Sequence, residues 1–182
     1  MLAEQAGIRV VSLDEITEDE RATLDERYHR QVFPVLTPLA VGVARPFPYI
    51  SNLSLSLAVL VRDPENGERT FARVKVPTEI LPRFLPTGED GRTLVPLERL
   101  IAANVEELFP GTEILEHGCF RVTRDADFEI ADEADDLLAA VEDELRRRPF
   151  GEVVRVELEA GFSAELREML VEALAVEERQ VY

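Results

Sequence analysis

Several residue types are scarce in this chain, and each scarcity removes a class of function. Cys119 is the single cysteine in 182 residues. One thiol excludes an internal disulfide framework and cannot build a thiolate metal site. Lys75 is the single lysine, so nearly all positive charge is carried by arginine, whose planar fork suits bidentate phosphate contacts. No apolar run approaches the roughly 20 residues of a membrane-spanning helix. Residues 1–7 lack a basic stretch followed by an apolar core, so no secretory signal is predicted and the expected compartment is the cytoplasm. Positive charge is short overall: 20 Lys and Arg face 37 Asp and Glu, for a formal charge of −17. Such a surface repels nucleic acid, anionic membranes and any other polyanion unless its cations gather on one face. Nucleic acid is therefore excluded as a partner.

What is present is a globular composition, 46% hydrophobic and 31% charged, in a length suited to one domain. Gly7–Ser12 is short and β-branched, a predicted strand. Thr17 and Glu20 have capping-box spacing, and Leu24, Tyr28 and Val32 then recur as a helical stripe that must end before Pro34. Prolines 34, 38, 46 and 48 predict an extended connector. In Asn52–Val61, residues Leu53, Leu55, Leu57, Val59 and Val61 alternate with period two, a strand. Asn66-Gly67 is a turn signal, and Thr70–Val76 returns as the second arm of a hairpin. Its Ala72, Val74 and Val76 are expected on the core face, with Phe71, Arg73 and Lys75 on the other. After a proline-punctuated segment, Pro96 opens a helix with the stripe Leu97, Leu100, Ile101, Val105 and Leu108, stopped at Pro110-Gly111. Further expectations are a strand at Phe120–Arg124, a helix over 133–148, a strand at Val153–Leu158 and a helix capped by Ser163. Helices and strands mix without strict alternation, which predicts an α+β fold: a mixed or antiparallel sheet with a central hairpin, packed against about four helices. Glu177–Tyr182 carry no stop signal, so the chain reads as part of a longer one.

Catalytic motifs are missing. There is no G-x-x-x-x-G-K-[ST] loop, no G-x-G-x-x-G, no G-x-S-x-G and no H-E-x-x-H. The two histidines, His29 and His117, have no ligand-spaced partner. His29 reads as a residue on the polar side of the first helix, and His117 as a loop residue before Gly118. A phosphohistidine needs an acceptor behind one ring nitrogen and cations for the phosphate, and neither stretch supplies both. The carboxylates from Asp125 to Asp136 lack the spacing of a calcium loop and read as a solvated helix entrance. Arg124 and Asp125 read as a turn held by their own pairing. The expected metal site is therefore none, and the expected catalytic residues are none. The one candidate for ligand contact is cationic. Arg121 and Arg124 share a strand, and Arg73 and Lys75 share the outer face of another. If the strands approach, these four make a patch on an otherwise acidic surface, able to touch a polyanion. The alternative is that each pairs with a nearby carboxylate.

Ordered segments carry a resemblance. Phe33–Ala40 (F-P-V-L-T-P-L-A), Pro46–Val59 (P-F-P-Y-I-S-N-L-S-L-S-L-A-V), Phe71–Pro77 (F-A-R-V-K-V-P) and Leu81–Phe84 (L-P-R-F) resemble the middle (head) region of the long bacterial polyphosphate kinases. So do Leu94–Gly111, Phe120–Glu129 and Gly151–Leu158. The resemblance covers nearly the whole chain, with residues 1–32 as a connector from a preceding helical domain and 33–182 as the middle domain itself. It implies a full-length phosphotransferase that reversibly moves the terminal phosphate of ATP onto polyphosphate, with magnesium and a phosphohistidine. The phosphorylated histidine and main phosphate-binding arginines would lie in later domains, so no catalytic residue carries over, and this chain alone is expected to hold no cofactor and to be inactive. The resemblance further implies a scaffold and dimer-contact role: partners are the other domains of the same polypeptide and a second copy in the full-length enzyme. Two competing readings are a stand-alone acidic dimerisation or regulatory module, and a small phosphotransferase using His29 or His117.

Overall fold

A computed structural model describes residues 7–41, 47–88, 90–125 and 151–182. It is an α+β arrangement of two sheets. The larger is wholly antiparallel, in the order β2 (Pro38–Ala40), β4 (Arg69–Lys75), β3 (Leu55–Arg62), β7 (Glu113–Arg124), β8 (Val153–Leu158). The smaller orders β1 (Arg9–Val10), β6 (Thr93–Pro96) and β5 (Phe84–Thr87), with β1 parallel to β6 and β5 antiparallel. Three α-helices are described: α1 (Glu18–Arg27), α2 (Leu97–Ala103) and α3 (Ala164–Leu174). The helix expected over 133–148 lies outside the described residues.

The hairpin is central, as the alternation requires, because β3 is the middle strand of five. Asp63 N–H donates to the Glu68 carbonyl at 2.9 Å and Gly67 to that of Asp63 at 2.8 Å, closing the turn. Gly67 takes φ +74° there, a region that favours glycine.

Local signals set most helix boundaries. Thr17 Oγ1 accepts from Glu20 N–H, and the Glu20 carboxylate accepts from Thr17 N–H at 2.9 Å, completing the capping box of α1. The helix loosens into a wider turn at Tyr28–Val32 before Pro34. Ser163 Oγ accepts from Leu166 N–H at 3.1 Å and caps α3.

The core differs from expectation in one respect: the large sheet is covered on both faces. On one, Leu57, Val59, Ala72, Val74 and Val76 pack beneath α1 (Leu24, Tyr28, Val32), α2 and the small sheet. On the other, Ala58, Leu60, Phe71, Phe120 and Val122 pack beneath α3 through Leu166, Leu170 and Leu174. Phe71 and Arg73, expected on an outer face, are therefore buried. The near-continuous apolar run of β3, L-S-L-A-V-L-V, is the pattern of a strand buried on both sides.

Two further corrections concern strand extent. The expected connector contains β2, and the proline-punctuated segment contains the β5–β6 hairpin. Strand β7 begins at Glu113, so His117 is an exposed strand residue opposite Val59 and not a loop residue.

Candidate functional site

The four candidate cations do not form one patch. In β3, Leu55, Leu57 and Val59 share one face, while Ser56 and Ala58 share the other. Arg73 pairs with Ala58 and Lys75 with Ser56, so both project from the α3 face. Arg121 pairs with Leu55 and projects from the opposite face. There it meets Glu157, its direct cross-strand partner in β8, at 2.6 Å between Nε and Oε2. That hydrogen bond holds the Arg121 guanidinium firmly charged and Glu157 below the usual carboxylate range.

Arg124 fastens chain segments together. Its Nε donates to the Ile50 carbonyl and its Nη1 to the Gly151 carbonyl, both at 2.8 Å, and its guanidinium lies 4.4 Å from the centre of the Tyr49 ring. Its own N–H donates to Asn52 Oδ1 at 2.9 Å. These contacts close the corner between the approach to β3 and the approach to β8. Lys75 is paired as well, its Nζ 2.7 Å from Glu79 Oε1.

Arg73 stands apart. It is 6% exposed, and its Nε donates to Ser56 Oγ at 3.0 Å. Its Nη2 is buried without a hydrogen-bond partner. Burial lowers its pKa, partly offset by the negative charge of Glu79. A buried cation with an unmet donor is costly unless something answers it.

Two possible nucleophiles, His29 and Cys119, are poorly placed for attack, while His117 stands exposed on β7. His29 sits in the wide turn after α1, with Nδ1 at 2.8 Å from the Asp25 carbonyl and Nε2 at 3.0 Å from Glu107 Oε2. Two acceptors favour the imidazolium and raise its pKa, the Asp25 carbonyl first. An imidazolium offers no lone pair to phosphorus, and the Glu107 carboxylate repels phosphate. Cys119 is no better, since burial and the Glu159 charge push its thiol up to about 12. No group of three or more His, Cys, Asp or Glu side chains among the described residues is placed to hold a metal ion. Nor is any helix among them long and apolar enough to cross a membrane. Asp127 to Asp136 lie outside the described residues.

Sequence reasoning named these four cations but could not assign their faces. The signal was register: once β3 stands between β4 and β7, side-chain parity places Arg121 opposite Arg73 and Lys75.

Two covered sheet faces and a surface of largely paired charges define a domain of the α+β class. Comparison with known proteins gives it a lineage. The family profile described as polyphosphate kinase middle domain matches residues 19–182, and the chain belongs to that family. It is 52% identical to the polyphosphate kinase of Streptomyces coelicolor, across 100% of this chain and 24% of that protein. Against the polyphosphate kinase of Thermosynechococcus vestitus it is 49% identical, across 100% of this chain and 26% of that protein. The chain thus spans about a quarter of the length of these curated relatives. The crystal structure of polyphosphate kinase from Porphyromonas gingivalis shares the fold, with a TM-score of 0.74 at 21% identity, covering 100% of this chain and 26% of that one.

Proposed function

We propose that this chain is the structural, dimer-contact middle domain of a cytoplasmic polyphosphate kinase. The full-length enzyme would reversibly transfer the terminal phosphate of ATP to polyphosphate, using magnesium and a phosphohistidine supplied by other domains. The family match over residues 19–182 carries this reading. The chemistry of the described residues supports an inactive role for this part: phosphoryl transfer needs positioned cations and a free nucleophile. Here Arg121, Lys75 and His29 are each engaged with a carboxylate. The acidic surface supports scaffolding over lining a polyphosphate path, because carboxylates repel a polyanion. The test compares ATP-dependent polyphosphate synthesis by the full-length protein and by the 182-residue chain. Synthesis is expected only from the former, and synthesis by the chain alone overturns the assignment.

A further inference from the structure

A carboxylate-rich protein has every means of neutralising its arginines, and most described cations have been neutralised. Arg62 pairs with Glu113, Arg69 with Glu165, Arg83 with Glu98 and Arg99 with Glu159. The most deeply buried cation of the candidate set, Arg73, has no carboxylate within ion-pair distance among the described residues. It also keeps Nη2 without a partner at 6% exposure. Desolvating a guanidinium without answering all its donors is unfavourable, and an anion supplies the missing acceptor.

The surroundings favour a phosphoryl group. Ser56 Oγ, fully buried, accepts from Arg73 Nε and so keeps its own O–H to donate. Lys75 lies two residues along the same face, directly opposite Ser56 in register. It holds Glu79 at 2.7 Å at the surface, where their side chains are 38% and 56% exposed. The local balance is two cations against one carboxylate, net positive within a chain of formal charge −17. Two donors of different geometry, a guanidinium edge and a hydroxyl, can converge on separate oxygens of one tetrahedral phosphate.

We propose that Arg73, Ser56 and Lys75 form an anion site that takes one phosphoryl group of a polyphosphate chain. The site rests on the polyphosphate kinase reading for the identity of its ligand. The domain would then engage the polymer at a point and not along a track.

The experiment is calorimetric titration of the 182-residue chain with sodium tripolyphosphate, beside ATP, orthophosphate and sulfate at equal ionic strength. Saturable tripolyphosphate binding is expected, tighter than ATP or sulfate. Arg73→Gln should weaken it about tenfold or more, the scale of a charge-assisted hydrogen bond. Ser56→Ala, which leaves the buried arginine in place, should weaken it about fivefold. Arg121→Gln, on the opposite face, should bind as the parent chain does. Should Arg73→Gln fail to fold by circular dichroism, Ser56→Ala and Lys75→Gln decide the matter. Absence of tripolyphosphate binding by the parent chain, unchanged affinity in the Arg73 or Ser56 variant, or equal loss in Arg121→Gln overturns the site. ATP binding more tightly than tripolyphosphate overturns the ligand assignment. Failure here alongside polyphosphate synthesis by the full-length protein removes only the site; binding here without such synthesis removes only the kinase reading.

Discussion

Gly118 lies directly under the ring of Phe162, so that a Cβ on the glycine would stand 2.3 Å from the ring carbon Cε2. Gly118 is in β7, facing Ala58 of β3. Phe162 comes immediately before Ser163, the N-cap of α3. The missing side chain therefore sets how closely the start of that helix approaches the sheet. Gly118→Ala is expected to destabilise by about 1–3 kcal/mol in urea unfolding, as overpacking does. Adding Phe162→Ala should recover part of that loss, since the pair is in contact. A Gly118→Ala chain as stable as the parent would show that the ring moves aside freely.

Leu57 is fully buried at the centre of the hairpin, facing Val74 on one side and Cys119 on the other. Truncation to alanine should cost about 2–5 kcal/mol through lost burial and a residual cavity. A change below about 0.5 kcal/mol, the range of ordinary surface substitutions, would mean that this strand does not form the core.

Cys119 should be chemically silent while the chain is folded. Its thiol, pushed up to about 12, leaves a negligible thiolate fraction at pH 8. Labelling with a thiol-disulfide reagent should therefore proceed only on unfolding, with a rate that tracks denaturant. Fast labelling of the native chain would contradict the burial.

His29 links stability to pH. Its folded pKa is raised above 6.5, so its contribution is fully present below that unfolded value. That contribution fades as pH rises through the folded value. The proton resonances of His29 should titrate above 6.5, and Glu107→Gln should lower the midpoint. An unchanged midpoint would leave Asp25, through its carbonyl and its charge, as the cause.

Much of this fold is written locally. Thr17 and Glu20, Asn66 and Gly67, and Ser163 each act over a few residues, and their structures follow from side-chain chemistry at short range. The β5–β6 hairpin escaped sequence reading because Pro86 lies within β5 and Pro96 ends β6. Strand β5 is an edge of the small sheet, and Pro96 lies beyond the residues of β6 that pair with β1, so each proline sits where a ladder donor is not needed. Burial of Arg73 escaped for another reason: arginine on a strand normally signals the solvent face, and only the packing of α3 and the segment around Phe47 over Phe71 reveals a second core. The split of the cationic set was equally illegible. It depends on which strand lies between β4 and β7, a long-range choice that residue spacing within each strand does not encode.

The ends of the large sheet bear on how the molecule behaves at high concentration. Val181 pairs parallel to Val156, with Tyr182 N–H donating to the Val156 carbonyl at 2.9 Å and Leu158 N–H to the Tyr182 carbonyl at 2.8 Å. Tyr182 also lies beneath the Arg155 guanidinium, 4.2 Å from the ring centre. On the far side, β2 is three residues long and begins with Pro38. A sheet grows by recruiting strands to bare hydrogen-bonding edges, and here one edge is already occupied while the other is short and opens on a residue without an N–H donor. Removing Val181 and Tyr182 would uncover β8 and turn a self-limited sheet into a template for fibrous association.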